Sequence, residues 1–322
     1  MTGTSIGWLH WTDLHMGHEL GRPFLHNVEE ELLADLARLH KKAGPWDAVL
    51  FTGDLTQQGK PEEFQALDQF LGRLWTHLET LGSRPVLIAV PGNHDLMRPT
   101  KPLPAAVRAL RNWHGDHELQ RDFWSNASGE YRQVIDAAFA PYSAWWLHHP
   151  RAPQERRPGL LPGDHAVTLE RNGVRLGIVG LNSSFLQLTG EDYSGKLHLD
   201  VRQMNAVCGD VPRDWFAEHD AALLLTHHPV AWLHPDAQRD YQAEIYKPGR
   251  FIAHLFGHMH EAAIQSVRQG GGEARRHYQG TSLFGLEVYG ERQERAHGYS
   301  AGRLCIGEGR AELHLWPRIM RR

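Results

Sequence analysis

Five short apolar segments of this chain end abruptly in residue types that bind metal ions. The apolar runs cover residues 6–11, 48–51, 85–90, 221–225 and 251–256. They are followed by Asp13-Leu14-His15, Gly53-Asp54, Gly92-Asn93-His94-Asp95, His227-His228-Pro229 and Gly257-His258-Met259-His260. Such runs predict buried strands, and open α/β sheets bind ligands beyond the carboxyl ends of their strands. The pattern therefore predicts an α/β protein with one polar site at a sheet edge.

The residue types at these strand ends suit divalent metal ions. Asp and His are preferred ligands of such ions, and Asn adds a neutral carbonyl oxygen. One carboxylate can offer an oxygen to each of two ions, which a single imidazole nitrogen cannot do. Asp13 or Asp54 alone would be interpreted as a helix cap or a turn residue. Five such ends together indicate a metal site.

The first third of the chain alternates strands with amphipathic helices. A helix is predicted over residues 27–41, and Pro61 begins a second helix. In the first helix, one face at helical spacing carries Val28, Leu32, Leu33, Leu36 and Leu39. Alternation of this kind predicts parallel strands with right-handed crossovers, which bring the first three polar loops to the same edge.

In sequence order, the blocks Asp13-x-His15, Gly53-Asp54, Gly92-Asn93-His94-Asp95, His227 and Gly257-His258-x-His260 resemble the complete signature of the calcineurin-like metallophosphoesterases. The resemblance implies a four-layer α-β-β-α sandwich of two facing mixed sheets flanked by helices, with a dinuclear metal centre. By this resemblance, Asp13, His15 and His260 would bind one ion. Asn93, His227 and His258 would bind the other, with Asp54 bridging. His94 would face the substrate and be oriented by Asp95.

The tandem His227-His228 leaves two candidates for one ligand. We assign His227 because it continues the strand directly, which makes His228-Pro229 an outward turn. The mixed nitrogen and oxygen ligand set is compatible with several metals. We expect two divalent ions, with Mn as the first choice and Fe or Zn next.

The expected activity is hydrolysis of a phosphoester bond. Two metal ions can activate a bridging hydroxide for in-line attack at phosphorus, with His94 as the general acid. We favour a phosphodiesterase acting on a nucleotide-type substrate. The alternatives are a phosphomonoesterase or an exonuclease, for which single-stranded nucleic acid is a candidate substrate, and a metal-stabilised binding module without catalysis.

Residues 1–322 are interpreted as one catalytic domain with a cap insertion at about 98–163. The insertion breaks the parallel alternation and is rich in Trp, Tyr and Arg, with helical patches at 105–113 and 131–146. Pairs of aromatic and Arg side chains can stack a nucleobase and hold a phosphate. The simpler interpretation, which we favour, is that these aromatic residues form the insertion's own core.

The second half of the chain is expected to contribute a second sheet. Asn172-Gly173 predicts a hairpin between residues 167–170 and 174–181. Segments 262–267, 276–279, 299–306 and 311–316 are predicted as antiparallel strands that complete this sheet. Polar residues 182–184 and 281–285 could approach the site, although we favour an ordinary loop for 182–184.

Composition narrows the cellular context. The net charge of −4 provides no general attraction for polyanions, so nucleic acid would need a local basic patch. Only two cysteines occur, in no metal-type spacing, which suits a reducing cytoplasm. We expect no exported leader and no membrane span. The last segment directly follows a predicted strand, which would also suit a domain of a longer polypeptide.

Overall fold

The computed structural model describes residues 4–18, 22–209, 211–260, 263–268, 273–284, 287–289, 292–294, 297–307 and 310–320. Residue 262 of the strand predicted at 262–267 and residue 285 of the polar segment 281–285 lie outside the described residues. The strands are β1 (Thr4–Trp11), β2 (Ala48–Thr52), β3 (Val86–Val90), β4 (Arg156–Pro158), β5 (His165–Arg171), β6 (Val174–Gly180), β7 (Ala221–Leu225), β8 (Ala253–Phe256), β9 (Ala263–Val267), β10 (Arg275–Gln279), β11 (Glu287–Tyr289), β12 (Arg292–Glu294), β13 (Gly298–Gly307) and β14 (Arg310–Ile319).

The helices are α1 (Arg22–Ala43), α2 (Pro61–Thr80), α3 (Ala105–Leu110), α4 (His117–Ser125), α5 (Glu130–Ala138), α6 (Ala140–His148), α7 (Val201–Cys208), α8 (Pro212–Ala217) and α9 (Pro235–Asp240). Single helical turns at Trp113–Gly115 and Val230–Trp232 and a π-helical segment at Tyr241–Ile245 complete the description. Pro61 begins α2 as predicted, because its missing N–H is not needed at the first helical position.

Two mixed sheets form the centre of the molecule. One has the strand order β14-β13-β1-β2-β3, and the other has the order β4-β5-β6-β7-β8-β10-β9. The neighbours β1, β2 and β3 are parallel, as are β6, β7 and β8. All five predicted metal-binding loops therefore follow the carboxyl ends of parallel strands.

Apolar side chains pack between the two sheets and on their outer faces. The inner layer includes Trp8 and Leu50 from the first sheet and Ile178 and Leu223 from the second. Helices α1 and α2 cover the outer face of the first sheet, where the predicted apolar stripe of α1 packs. The predicted four-layer α-β-β-α sandwich is confirmed. Burying both faces of a sheet stabilises it by about 25 cal/mol for each Å² of apolar surface removed from water.

The segment predicted as an insertion forms helices α3 to α6, and most of its large aromatic side chains are buried, with Trp124 and Tyr131 half-buried. Trp113 and Phe123 belong to the core outside the second sheet, whereas Tyr142 and Trp145 pack near Phe64 of α2. The expectation that they form a core of their own was wrong, because these side chains share the two outer cores of the sandwich. That the segment covers the metal-binding loops stays a prediction.

The last two strands lie in a different sheet from the one predicted. Strand β13 pairs antiparallel with β1, and β14 pairs with β13, so both extend the first sheet. Strand β10 is parallel to β8, with β9 antiparallel at the edge. The prediction that all four late strands complete the second sheet in antiparallel order was therefore wrong. Turn signals predict a hairpin, but they do not identify the sheet edge with which it pairs.

Candidate metal centre

Backbone hydrogen bonds join the first two polar loops. The amide of Asp13 donates to the carbonyl of Gly53 at 3.0 Å, and the amides of Leu14 and His15 both donate to the carbonyl of Asp54 at 2.9 Å. The side chain of Ser282 donates to the carbonyl of Asp13 at 2.7 Å from the other side. The two loops are thereby held in register, which fixes Asp13, His15 and Asp54 close together.

The candidate ligands occupy an uncommon backbone conformation. In the described part of the chain, six non-glycine residues have positive φ, and five of them are predicted ligands. These five are Asp13 (53°), His15 (51°), Asp54 (53°), His258 (73°) and His260 (57°). Such conformations are unfavourable for side chains with a Cβ and concentrate at functional sites. The backbone strain therefore occurs at the residues whose side chains are directed into the candidate metal centre.

Two glycines allow the loops to approach closely around Asp54. A Cβ on Gly53, whose φ is 91°, would lie 2.5 Å from Nδ1 of His227. A Cβ on Gly92 would lie 2.1 Å from Oδ1 of Asp54. Both distances are shorter than a non-bonded contact permits, so only glycine fits at either position.

We use the term His227 half for Asn93, His227 and His258, and its donor atoms lie close together. From Nε2 of His227, Oδ1 of Asn93 and Nδ1 of His258 are each 3.1 Å away, and Oδ2 of Asp54 is 3.3 Å away. Nδ1 of His227 lies 2.8 Å from the carbonyl of Thr52. This carbonyl accepts the ring proton, which leaves Nε2 directed at the cluster.

The term His15 half denotes Asp13, His15 and His260, whose donor atoms are less closely gathered than those of the His227 half. Oδ1 of Asp13 lies 3.3 Å from Nε2 of His260, and Nε2 of His15 lies 3.7 Å from Oδ2 of Asp54. The side chains of His15 and His260 are 13% and 24% exposed, whereas that of Asp13 is fully buried. Both ring nitrogens of His15 are buried without a hydrogen-bond partner among the described residues. Buried ring nitrogens without a hydrogen-bond partner are expected of residues that bind a metal ion.

Asp54 lies between the two halves, and charge keeps it ionised. Burial opposes ionisation, but the neighbouring His227, His94 and His15 rings hold the pKa of Asp54 well below its usual range. Burial lowers the pKa of His227, but the carboxylates of Asp54 and Asp13 and the Thr52 carbonyl together raise it to about 9. Burial lowers the pKa of His15 to about 4 despite Asp54. Lone pairs thus converge on two points around one carboxylate, and the residues present fit two divalent cations.

His94 lies beside the His15 half, but Asp95 does not orient it. Nδ1 of His94 is 2.8 Å from the carbonyl of Gln57, and its ring lies edge-on to His15 with centroids 4.8 Å apart. The buried carboxylate of Asp95 instead accepts from the amides of Thr56 and Gly92, each at 2.8 Å. The predicted pairing of Asp95 with His94 was wrong, because the side chain of Asp95 turns inward to join the two loops.

His228 is a further correction. It was predicted to turn outward, yet it is 1% exposed. Its Nδ1 lies 3.0 Å from Oγ of Ser183, and its ring is 4.4 Å from the ring of His258. The neighbouring proline and the serine loop after β6 hold it inside. His227, predicted as the ligand, is the tandem member whose nitrogen lies near Asp54 and Asn93.

Sequence reasoning missed the residues that act through their backbone. The carbonyls of Thr52 and Gln57 contact the rings of His227 and His94, and no residue type marks such a role. Trp232 was also missed, although its ring lies edge-on to His258 with centroids 4.0 Å apart. Trp232 lies close to the His227 block in the sequence, so a search for aromatic residues after each motif could have found it.

The two-sheet α-β-β-α sandwich gathers Asp, Asn and His groups beyond the carboxyl ends of its parallel strands, as in the metallophosphoesterase fold. The chain belongs to the calcineurin-like phosphoesterase family, whose model matches residues 8–262. That range includes every candidate ligand. No curated protein matches the chain.

Solved structures with similar folds have low sequence identity to this chain. A purple acid phosphatase from yellow lupin is 11% identical with a TM-score of 0.51, over 98% of this chain and 52% of the phosphatase. A hypothetical protein from Thermus thermophilus is 15% identical with a TM-score of 0.43, over 97% and 100% of the two chains. Vacuolar Protein Sorting 29 from Cryptosporidium parvum is 10% identical with a TM-score of 0.35, over 98% of each chain. The phosphatase supports the fold assignment.

Among the described helices, none has both the length and the apolar character needed to cross a membrane.

Proposed function

We propose that the protein is a metal-dependent phosphodiesterase acting on a nucleotide-type substrate. The observation that supports this proposal is the convergence of two ligand groups on Asp54, with the His94 ring, which belongs to neither half, beside one of them. A site that only stabilised the loops would not need an additional ring of this kind at its border.

The chain's own residues would divide the work as follows. Asp13, His15 and His260 would hold one divalent ion, and Asn93, His227 and His258 the other, with Asp54 contributing to both. Ions bound in this way supply positive charge for the phosphoryl oxygens and lower the pKa of water. Mn is our first choice and Fe or Zn the next, because nitrogen and oxygen donors suit each of them.

His94 is proposed to protonate the oxygen of the leaving group. When Nδ1 donates to the carbonyl of Gln57, the opposite nitrogen is fixed in direction. A proton on that Nε2 could then pass to an alkoxide that leaves phosphorus. A general acid must regain its proton on this nitrogen before each turnover.

The nucleotide preference needs a different basis from the one that the sequence suggested. The aromatic side chains of α3 to α6 that could have stacked a base, such as Trp113 and Tyr142, are buried in the core. Trp232 is half-buried and contacts His258 directly, so it is the aromatic ring that supports a planar substrate group near the centre. The cytoplasm is the proposed location, supported by the free thiols of Cys208 and Cys305.

Hydrolysis of two simple esters tests the proposal. Protein loaded with Mn should hydrolyse bis(p-nitrophenyl) phosphate, and it should hydrolyse p-nitrophenyl phosphate more slowly. Metal content should be measured on the same sample by mass spectrometry. Two bound ions with no turnover of either ester would favour the binding module. Preference for the monoester would favour a phosphomonoesterase.

A further inference from the structure

A cavity of about 350 Å³ opens beside the His227 half, on the outer face of the second sheet. Its floor consists of strands β8, β10 and β9, and its walls are the Val230–Trp232 turn and the start of the π-helical segment. Ligand pockets in proteins span about 300–1,000 Å³, so this cavity has room for one small group. It is too small for a protein segment or a folded nucleic acid.

The alternation of side chains along the strands explains which groups enter this cavity. In β10, His277 and Gln279 point to the same face, because successive residues of a strand point to opposite faces. In the neighbouring β9, Gln265 lies directly opposite His277 in the antiparallel register. The intervening Ser266 points to the other face.

The cavity adjoins the metal centre through Trp232 and Met259. The Trp232 ring lies edge-on to the His258 ring, and its Nε1 donates to the sulfur of Met259 at 3.2 Å. Met259 is 45% exposed and lies between two predicted ligands, His258 and His260. A substrate with its phosphate at the centre could therefore extend one substituent past Trp232 into the cavity.

The polar groups of the lining suit a planar, hydrogen-bonding ligand without a positive charge. Carboxamides at Gln242, Gln265 and Gln279 each offer both a donor and an acceptor. Burial lowers the pKa of His277 to about 4, so this ring is neutral and can also act in either role. The guanidinium of Arg275 also lines the cavity and donates to the carbonyls of Tyr246 and Gln242, and no carboxylate lines it in the described part of the chain. Nucleobases present such mixed edges, and their faces stack on indole rings.

We infer that this cavity receives the nucleobase of a nucleotide phosphodiester whose phosphorus lies at the metal centre. The inference rests on the proposed phosphodiesterase activity and adds the part of the substrate that is recognised. Trp232 forms the aromatic wall, and the carboxamides of Gln265 and Gln279 read the edge of the base.

A pair of substrates with the same leaving group tests the inference. One is a nucleoside 5′-(p-nitrophenyl phosphate), and the other is methyl p-nitrophenyl phosphate, which lacks the base. The measured quantity is the ratio of their kcat/KM values. Gln265→Ala should lower this ratio about fivefold, because the base edge loses one hydrogen-bond partner at an exposed side chain. Ser266→Ala, on the opposite face of the same strand, is the matched control and should leave the ratio unchanged.

A second variant covers the case in which the cavity rearranges locally in Gln265→Ala and conceals the effect of the lost carboxamide. Ala263→Phe fills the cavity from its edge and should lower the ratio at least as much as Gln265→Ala. An unchanged ratio in both variants would overturn the inference. An equal fall in Ser266→Ala would also overturn it, because the effect would then come from disturbance of the strand and not from the cavity.

Binding without turnover separates this inference from the proposed function. Saturation-transfer NMR with adenosine, guanosine, cytidine and uridine requires neither metal nor hydrolysis. A nucleoside signal that weakens in Gln265→Ala would support the cavity even if both p-nitrophenyl esters remain intact, in which case only the proposed activity fails. Hydrolysis of both esters, with no nucleoside signal and an unchanged ratio, would retain the activity and reject the base site.

Discussion

The two halves of the candidate centre share Asp54 but differ in how closely their donor atoms are gathered. In the His227 half, three donor atoms lie 3.1–3.3 Å from Nε2 of His227, whose other nitrogen contacts a backbone carbonyl. In the His15 half, Oδ1 of Asp13 lies 3.3 Å from Nε2 of His260, and Nε2 of His15 lies 3.7 Å from Oδ2 of Asp54. The side chains of His15 and His260 are partly exposed. One half is therefore organised before an ion arrives, and the other adjusts more to it.

This difference suggests a division of roles. A preorganised and buried set of ligands retains its ion, whereas a more open set with His94 at its border is accessible to substrate. We expect the His227 half to hold the more permanent ion and the His15 half to be the side where the leaving group meets His94.

The largest effect is expected at the residue that serves both halves. Asp54→Ala should remove both ions and lower turnover of bis(p-nitrophenyl) phosphate by about a thousandfold or more, because the charge that couples the halves is lost. Metal content and turnover should be measured together. Asp35→Ala, which removes a carboxylate that pairs with Arg38 and Arg318 outside the centre, is the control and should retain both ions. Two ions bound to Asp54→Ala would mean that the halves are independent.

The second prediction concerns His94 and the border of the His15 half. His94→Ala should lower turnover about a hundredfold, which is typical of a lost general acid, while both ions remain bound. The effect should shrink with a p-nitrophenolate leaving group and grow with an alkoxide, because the alkoxide needs the proton more. A loss of the same size with both leaving groups would indicate that His94 acts by charge and not by proton transfer.

The third prediction compares the affinities of the two halves directly. In a calorimetric titration of metal-free protein with Mn at about pH 9, with oxygen excluded, the His227 half should bind about tenfold more tightly. His227→Ala should remove the tighter class of site, and His260→Ala should remove the weaker one. If His227→Ala removes the weaker site, or His260→Ala removes the tighter site, the assignment of the two affinities to the halves is reversed.

The smallest effect is a difference in pH dependence. A metal ion binds only the deprotonated ring, and the pKa of about 9 means that His227 must release a proton below that pH. Affinity at the His227 half should therefore fall about tenfold for each pH unit below 9, because one proton is released. His15, with a pKa of about 4, is already neutral, so this residue should add little pH dependence between about pH 6 and 8.

Proton release can be measured by titration in buffers of different ionisation enthalpy. We expect about one proton per ion at about pH 7.5 from the His227 half and none from His15. His227→Gln should abolish this release. Proton release that persists in this variant would assign the proton to another group.

The strand ends could be predicted because each needs only local information. Apolar residues of β1, β2 and β3 mark buried strands, and the polar residue that follows each strand marks the edge. Parallel pairing then brings these ends together, since every such strand ends on the same side of its sheet. That reasoning was sufficient for the gathering of Asp13, Asp54 and Asn93. The sandwich, and the meeting of these loops with His227, His258 and His260 of the second sheet, were implied by the family resemblance.

Other features depended on contacts between distant segments. Asp95 pairs with the Thr56 amide, and His228 with Ser183, 45 positions away in sequence. The hairpin β13–β14 pairs with β1 because the first sheet has an edge there, which no turn signal in the hairpin specifies. These outcomes depend on which surfaces meet, so a single stretch of sequence does not contain them.

The sequence by itself determined the chemical types of the ligands, their order and the strands that carry them, because strand formation and loop position follow from neighbouring residues. Only the tertiary structure decided the directions of the side chains, the backbone carbonyls that orient His94 and His227, and the cavity beside Trp232. The physical reason is that a ring or a carboxylate can rotate about its own bonds, and packing against remote parts of the chain selects one direction.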